Sequence, residues 1–519
     1  MTNLTPEERI VGRENADRAI GMTRRDWLIA AAATPALAGF YFGYKDMGSK
    51  PPVKAAIIGT GDEGCQAMIR YHNRDYLNFI GFCDIRPSQR ERAVKEFSDH
   101  KQYTAADVKK LKQYETKEQM FADPDVEMIV IALPLWLHAP VAIEAMKAGK
   151  HVFTEKLMAH SVAECKDMCR VARDSNKLLA VGHQRHYSAL YDNANFLLQN
   201  GVLGDVRHIR ALWHRNNAQP MVAKDKDKNT IYDPKTGLPE YVRDDKGNIV
   251  YQDSWKRPCP DKDLNIDYAK YGYKSLDELI HWRLYNRTGA GLMAELGSHQ
   301  LDACSIFLGK KHPLAVTGVG GTIFFMDGRE VDDHVFTIFE FPSGQDDKDR
   351  VLVTYSSINT NSFDGYGEMV MGSRGTMIVS QEKEILLYKE AGNAYASRQT
   401  SVSVETVAKK PVLETSPSLA GPSTASALGT LATVDPSRGY REELEHFAYC
   451  VRHGDASNYH DDKDHQPRCR GEVAMADAII ALTTNLAMRQ NRRIEFDPAW
   501  FDPKSDKTPE AAPAIARRT

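Results

Sequence analysis

A short apolar run, Val53–Ile58, opens directly into Gly59-Thr60-Gly61-Asp62-Glu63-Gly64, and a helical period follows. This junction constrains the fold more than any other feature of the chain. Glycines at these three positions permit a tight turn and close backbone approach. The helix N-terminus behind them offers N–H groups and a partial positive charge to a pyrophosphate. A Gly-x-Gly-x-x-Gly turn alone is a weak signal, but Asp84 stands 20 residues beyond Gly64, at the end of the apolar run Phe79–Asp84. A carboxylate there accepts from ribose hydroxyls. Gly59, Gly61, Asp62, Gly64 and Asp84 are therefore expected to form a dinucleotide site. Asp84 repels a 2′-phosphate and favours NAD, whereas Arg86 can accept one, so NADP stays open.

The pattern continues as alternating strands and helices. Val126–Leu133 is a near-continuous apolar strand, His138–Lys147 a helix ending at Gly149, and His151–Thr154 another strand. Ser161-Val162-Ala163-Glu164 has capping-box form and opens a helix to about Asp174. This alternation predicts an α/β fold with a doubly wound parallel sheet over residues 46–185. After His186 the pattern becomes strand-heavy. Val206–His214, Val316–Phe325, His334–Phe341, Val351–Ile358, Glu368–Val370 and Glu384–Tyr388 predict a second α+β domain, 186–500, on a large, mostly antiparallel open sheet. A Lys-, Asp-, Tyr- and Pro-rich stretch, 216–280, reads as an insertion, and the Ser/Thr/Ala/Pro-rich 391–433 as a surface loop. Helices Arg441–Arg452 and Arg470–Gln490 close the fold before a polar tail, 501–519.

At 519 residues the chain has room for two or three domains at roughly 100–200 residues each. A net charge of −3 leaves no electrostatic footprint for nucleic acid. The eight cysteines are scattered, and Cys165/Cys169 lack a second pair to complete a zinc site, so they are expected as buried thiols. Near the N-terminus, Thr23-Arg24-Arg25-Asp26-Trp27-Leu28 precedes an uncharged run from Trp27 to Tyr44 containing Ala36-Leu37-Ala38. A twin arginine before a moderately apolar stretch and a small-x-small site reads as a twin-arginine export signal within 1–45. The expected location is periplasmic or otherwise exported, with the run as a membrane anchor if uncleaved.

Two further stretches carry a family resemblance. Leu133-Pro134-Leu135-Trp136-Leu137-His138 leads to Ala148-Gly149-Lys150-His151-Val152-Phe153-Thr154-Glu155-Lys156, and Gly289-Ala290-Gly291-Leu292-Met293-Ala294-Glu295-Leu296-Gly297-Ser298-His299-Gln300-Leu301-Asp302 follows later. Together with Gly372-Ser373-Arg374-Gly375, they resemble the glucose–fructose oxidoreductase/inositol dehydrogenase/MocA family over roughly residues 53–495, the insertion excepted. The resemblance implies NAD(P)-dependent oxidation of a secondary hydroxyl on a sugar or polyol. Pro134, His138, Glu155 and Lys156 join the cofactor site. Lys156 reaches the reacting oxygen and His299 removes its proton. Proton and hydride must leave together in such chemistry, and an imidazole beside an ammonium suits the first task. Glu295, four residues before His299, is expected to orient the imidazole across a helical turn. Leu157 stands where the family has proline, and Glu295 where it commonly has aspartate.

Substrate contacts are expected from His183, Arg185, His186 and Tyr187 at the domain crossover, and from Trp213, Arg215, Trp282 and Arg283, since aromatic faces and charged forks suit sugar rings. No metal is expected, because His183, His186 and His299 fit no recognised ligand spacing. The expected assembly is a homodimer or homotetramer. Two other functions share these motifs: an NAD-dependent glycoside hydrolase working by transient oxidation and elimination, and a non-catalytic nucleotide- or sugar-binding protein.

Overall fold

Six strands supply the first layer of the computed structural model: β1 (Val53–Ile58), β2 (Leu77–Cys83), β3 (Lys112–Tyr114), β4 (Met128–Ile131), β5 (His151–Glu155) and β6 (Leu179–Gly182). They pair in parallel in the order β3-β2-β1-β4-β5-β6. Every residue of β4, β5 and β6 is buried, which explains why β4 reads as a near-continuous apolar run. The structure describes residues 4–20, 42–226, 229–343, 349–390 and 438–511, and the backbone of 402–407 and 410–415. Arg24, Arg25 and most of the apolar run behind them lie outside the described residues. Among the described residues, no helix is long and apolar enough to cross a membrane.

Local chemistry sets the helices around this sheet. Ser161 caps helix Val162–Asp174 and Glu164 reaches back to complete the capping box. The expected domain boundaries need two corrections. Helix Tyr440–His453, from near the C-terminus, packs Leu444, Phe447 and Ala448 into the same apolar cluster as β1 and β2. That face of the sheet would otherwise be open. Phe42 and Tyr44, the end of the expected export run, are buried in this cluster too, with Tyr44 donating to Glu445 at 2.6 Å.

The second sheet contains β7 (Val206–His214), β10 (Ala315–Gly321), β11 (His334–Pro342), β12 (Arg350–Ile358), β13 (Tyr366–Gly372), β14 (Gly375–Ser380), β15 (Glu384–Lys389) and β18 (Ile494–Glu495). Their order is β15-β14-β13-β7-β12-β11-β10-β18, and only β7 and β12 pair in parallel. Strict in–out alternation on β11 and β12 marks one covered and one open face. The insertion holds the hairpin β8 (Ala218–Pro220)/β9 (Tyr251–Asp253), then crosses to the first domain. Within the expected loop 391–433, β16 (Val402–Val407) and β17 (Lys410–Thr415) form a hairpin, a correction to its reading as loop alone.

The N-terminus differs again from expectation. Residues Pro6–Ile20 form a helix seated on β15. Arg9 and Arg13 pair with Glu384 at 2.5 and 2.6 Å, Asn15 donates to the Leu387 carbonyl at 3.0 Å, and Ala16 is buried. Part of the expected export segment is thus a built element of the second domain.

Candidate active site

The Gly-rich turn uses its glycines differently. Gly59 has φ +89°, and a Cβ there would stand 2.2 Å from the Ala132 carbonyl oxygen. A Cβ on Gly64 would meet the Gly59 carbonyl oxygen at 2.1 Å, so this glycine brings helix and strand together. Gly61 has nothing within 4 Å on its side-chain face, because that face opens on a cavity of about 480 Å³. Gly59, Gly61, Asp62, Asp84, Arg86, Pro134, His138, Glu155 and Lys156 all line it, and Gly64 does not.

Several of these side chains brace the wall as well. Asp84 accepts from the Thr60 amide at 2.8 Å and from the Arg86 amide at 2.8 Å, which holds the turn against β2. Burial pushes its carboxyl upward, against those hydrogen bonds. Asp62 pairs with Arg92 at 2.7 Å, and this partner outweighs burial to hold its carboxyl below the usual range. The His138 ring nitrogens lie 2.8 Å from the Leu157 and Leu133 carbonyl oxygens, pinning the two turns together. Glu155 presents a buried Oε1 without a hydrogen-bond partner among the described residues, and burial followed by Glu63 holds its carboxyl high. An orphaned acceptor in the wall, the free side of Gly61 and the Asp84 carboxylate fit a bound NAD(P) molecule.

At the far end, β5 delivers Lys156, whose Nζ donates to the Glu295 carbonyl oxygen at 3.0 Å. The Lys156–Leu157 peptide is cis. His299 is not part of the cavity wall itself; it is 7% exposed, with its ring 5.4 Å from that of Trp213. Burial first, then the Lys156 charge, holds its pKa well below 6.5, so the imidazole is neutral and able to accept a proton. Glu295 does not orient it. The carboxylate accepts from Arg283 at 3.0 Å instead, and Arg283 with Lys156 outweighs burial to keep it ionised. The reason is local: Met293–Gly297 is wound as a π-helix, which breaks the four-residue register expected of an α-helix.

The crossover residues are also corrected. His183, Arg185, His186 and Tyr187 are all buried and none lines the cavity. Arg185 donates to the His299 carbonyl at 2.6 Å and pairs with Glu368 and Glu382, so it supports the His299 backbone. His186 lies 2.9 Å from Asp302, and Tyr187 bonds His446 at 2.8 Å. Arg185, His186 and Tyr187 are interior braces, because the crossover packs against helices Tyr440–His453, Ala189–Gln199 and Ser298–Phe307. His183, Asp302 and Asp477 bring one potential ligand atom each within 4.8 Å, but Lys310 sits 2.8 Å from Asp302 and supplies the positive charge there.

Of the other expected substrate contacts, Trp282 and Arg283 line the cavity, with the guanidinium 4.3 Å above the indole ring. Trp213 stacks on Tyr366 and flanks His299. Arg215 lies over Trp255 at 4.5 Å, and burial lowers its pKa to about 10. Sequence reasoning missed Lys270, Tyr271 and Tyr273, which the insertion adds to the wall, and the buried Asp263 beside Arg86. Only the aromatic content of the insertion hinted at them.

This sheet order, turn and cavity define a Rossmann-type dinucleotide-binding domain joined to an α+β domain. Residues 53–183 match the oxidoreductase family with an NAD-binding Rossmann fold, and residues 264–378 match the GFO/IDH/MocA C-terminal domain. Both stretches thus match domain models of the glucose–fructose oxidoreductase/inositol dehydrogenase/MocA family. It is 26% identical over 154 residues to an inositol 2-dehydrogenase of Salmonella typhimurium, covering 29% of this chain and 43% of the relative. It is 25% identical over 166 residues to a glycosyl hydrolase family 109 protein of Shewanella baltica, covering 31% and 35%. The chain thus matches less than half the length of these curated relatives. A levoglucosan dehydrogenase solved with NADH and L-sorbose shares the fold, with a TM-score of 0.56 at 14% identity over 86% of this chain and 99% of the other.

Proposed function

We propose that this chain is an exported oxidoreductase that oxidises a secondary hydroxyl of a sugar or polyol with a tightly held, internally recycled NAD(P). One observation carries the reading. The Lys156 ammonium is fixed in the cavity wall by the Glu295 carbonyl, close enough to a neutral, buried His299 for its charge to lower that imidazole's pKa. Bound NAD(P) supplies the hydride acceptor. Lys156 donates to the substrate oxygen and stabilises its developing negative charge, while His299 accepts the hydroxyl proton at a ring nitrogen. Trp282 and Arg283 offer a face and a fork to the sugar, and Glu295 holds Arg283 in place.

Arg24 and Arg25 support export, since the twin-arginine route carries folded, cofactor-loaded proteins. Replacing both with Lys is expected to keep the protein in the cytoplasm; unchanged partitioning outside would refute that route. Outside the cytoplasm no NAD(P)H pool is expected, so the hydride must return within the enzyme's own cycle. The test runs turnover of a sugar and aryl-glycoside panel in deuterated water without added cofactor, following aglycone release and locating the label. Turnover without label supports a two-substrate oxidoreductase. Deuterium on the carbon beside the oxidised one supports transient oxidation with elimination or epimerisation. Strict dependence on added, exchanging NAD(P) refutes the closed cycle.

A further inference from the structure

Behind the cavity wall, the insertion meets the first domain at a residue that no motif announces. Asp263 is fully buried, although it lies in an exposed, lysine- and aspartate-rich stretch. Its carboxylate accepts from Arg86 Nε at 2.9 Å, from the Ser88 amide at 3.0 Å and from the Ser88 hydroxyl at 2.5 Å. Its own amide donates to the Pro260 carbonyl at 2.9 Å, closing the turn that carries it. Next to it, Lys262 pairs with Glu91, which ties the segment to helix Pro87–Asp99. A piece of the second domain is therefore anchored on the edge of the cavity where Asp84 and Arg86 lie.

Arg86 is the cation placed to meet a 2′-phosphate at this end of a Rossmann site, opposing the preference set by Asp84. Here its charge is already spent on Asp263. A 2′-phosphate reaching the Nη donors of Arg86 would meet a guanidinium whose charge Asp263 already offsets through Nε, and drawing it away would leave a buried carboxylate uncompensated. Without Arg86 the phosphate would face the Asp84 carboxylate with no help from that guanidinium. The discrimination made by Asp84 alone is reinforced from another domain.

We propose that Asp263 is a specificity-determining residue: by sequestering Arg86 it makes the cavity select NAD(H) over NADP(H). This rests on the cavity being an NAD(P) site. The full-length protein is titrated with NADH and with NADPH, reading nucleotide fluorescence, for the parent, Asp263→Asn and the double variant Asp263→Asn/Arg86→Ala. Melting temperature checks folding, and Asp263→Ser removes the same charge if the amide unseats the loop. The parent is expected to bind NADH far more tightly than NADPH. Asp263→Asn should raise NADPH affinity roughly 10- to 100-fold, the worth of one charge-assisted hydrogen bond or slightly more, and change NADH affinity little. The second substitution should cancel that gain, which separates Arg86 from Lys270 on the same wall. Equal affinity of the parent for both nucleotides overturns the proposal. So does a folded Asp263 variant with the parental ratio, or a gain that survives removal of Arg86. A parent that binds neither nucleotide overturns the cavity's assignment as well, and so marks a failure of the broader reading.

Discussion

Two glycines of the turn, Gly61 and Gly64, should respond to substitution in opposite ways. A Cβ at Gly61 meets nothing within 4 Å, and this glycine is not among those with positive φ. Gly61→Val should therefore shift stability by no more than about 0.5 kcal/mol, as for a surface site free of contacts. The branched side chain would instead project into the cavity, where the pyrophosphate must approach the backbone. Losing that approach is expected to weaken nucleotide binding at least roughly 100-fold, equivalent to about 2.7 kcal/mol. Gly64→Ala should do the reverse. Its Cβ would stand 2.1 Å from the Gly59 carbonyl oxygen, and backbone on both sides limits relaxation. Overpacking of this kind costs about 1–3 kcal/mol, a melting point lower by roughly 2–4 °C per kcal/mol. Thermal melts and NADH titrations of both variants make the comparison. Gly61→Val protein that binds NADH like the parent, or Gly64→Ala protein with a parental melting point, would refute this assignment of the turn.

The remaining expectations concern the base, its ionisation and the N-terminal helix. His299→Ala and Lys156→Ala should each cut turnover roughly 10²–10⁴-fold while NADH still binds. Glu295→Gln should cost less, since the imidazole does not lean on that carboxylate; near-parental turnover in both Ala variants would rule the roles out. Because burial and Lys156 depress the pKa of His299, its proton-accepting form persists as pH falls below 6.5, so the acid limb of kcat/KM should lie well under that value. Lys156→Met should move this limb upward, and a limb at 6.5 in the parent would contradict the electrostatics. Deleting residues 1–20 removes two ion pairs to Glu384 and uncovers Tyr388, so the melting point should fall by roughly 2–8 °C for about 1–2 kcal/mol. An unchanged melting point would mean the helix adds nothing to the fold.

Much of this protein is determined within short windows of sequence. The β1 turn, helix His138–Lys147, the Ser161 capping box and strand β7 follow from contacts a few residues long, and their boundaries agree with the pattern of side chains. Strands β3 and β6 escaped because each is short, and β14 because it begins directly on the turn that precedes it. What the windows could not contain are partners chosen by burial across the chain. Glu295 prefers Arg283 because a π-turn carries its carboxylate away from His299. Arg185 is drawn inward by Glu368 and Glu382, nearly two hundred residues away. Asp263 finds Arg86 across 177 residues of chain. A buried charge must have an opposite charge or hydrogen-bond donors beside it, whatever their sequence distance. Residue types and local spacing therefore set the cofactor turn and the reacting groups, while the tertiary structure decided which charges remain free to meet a ligand.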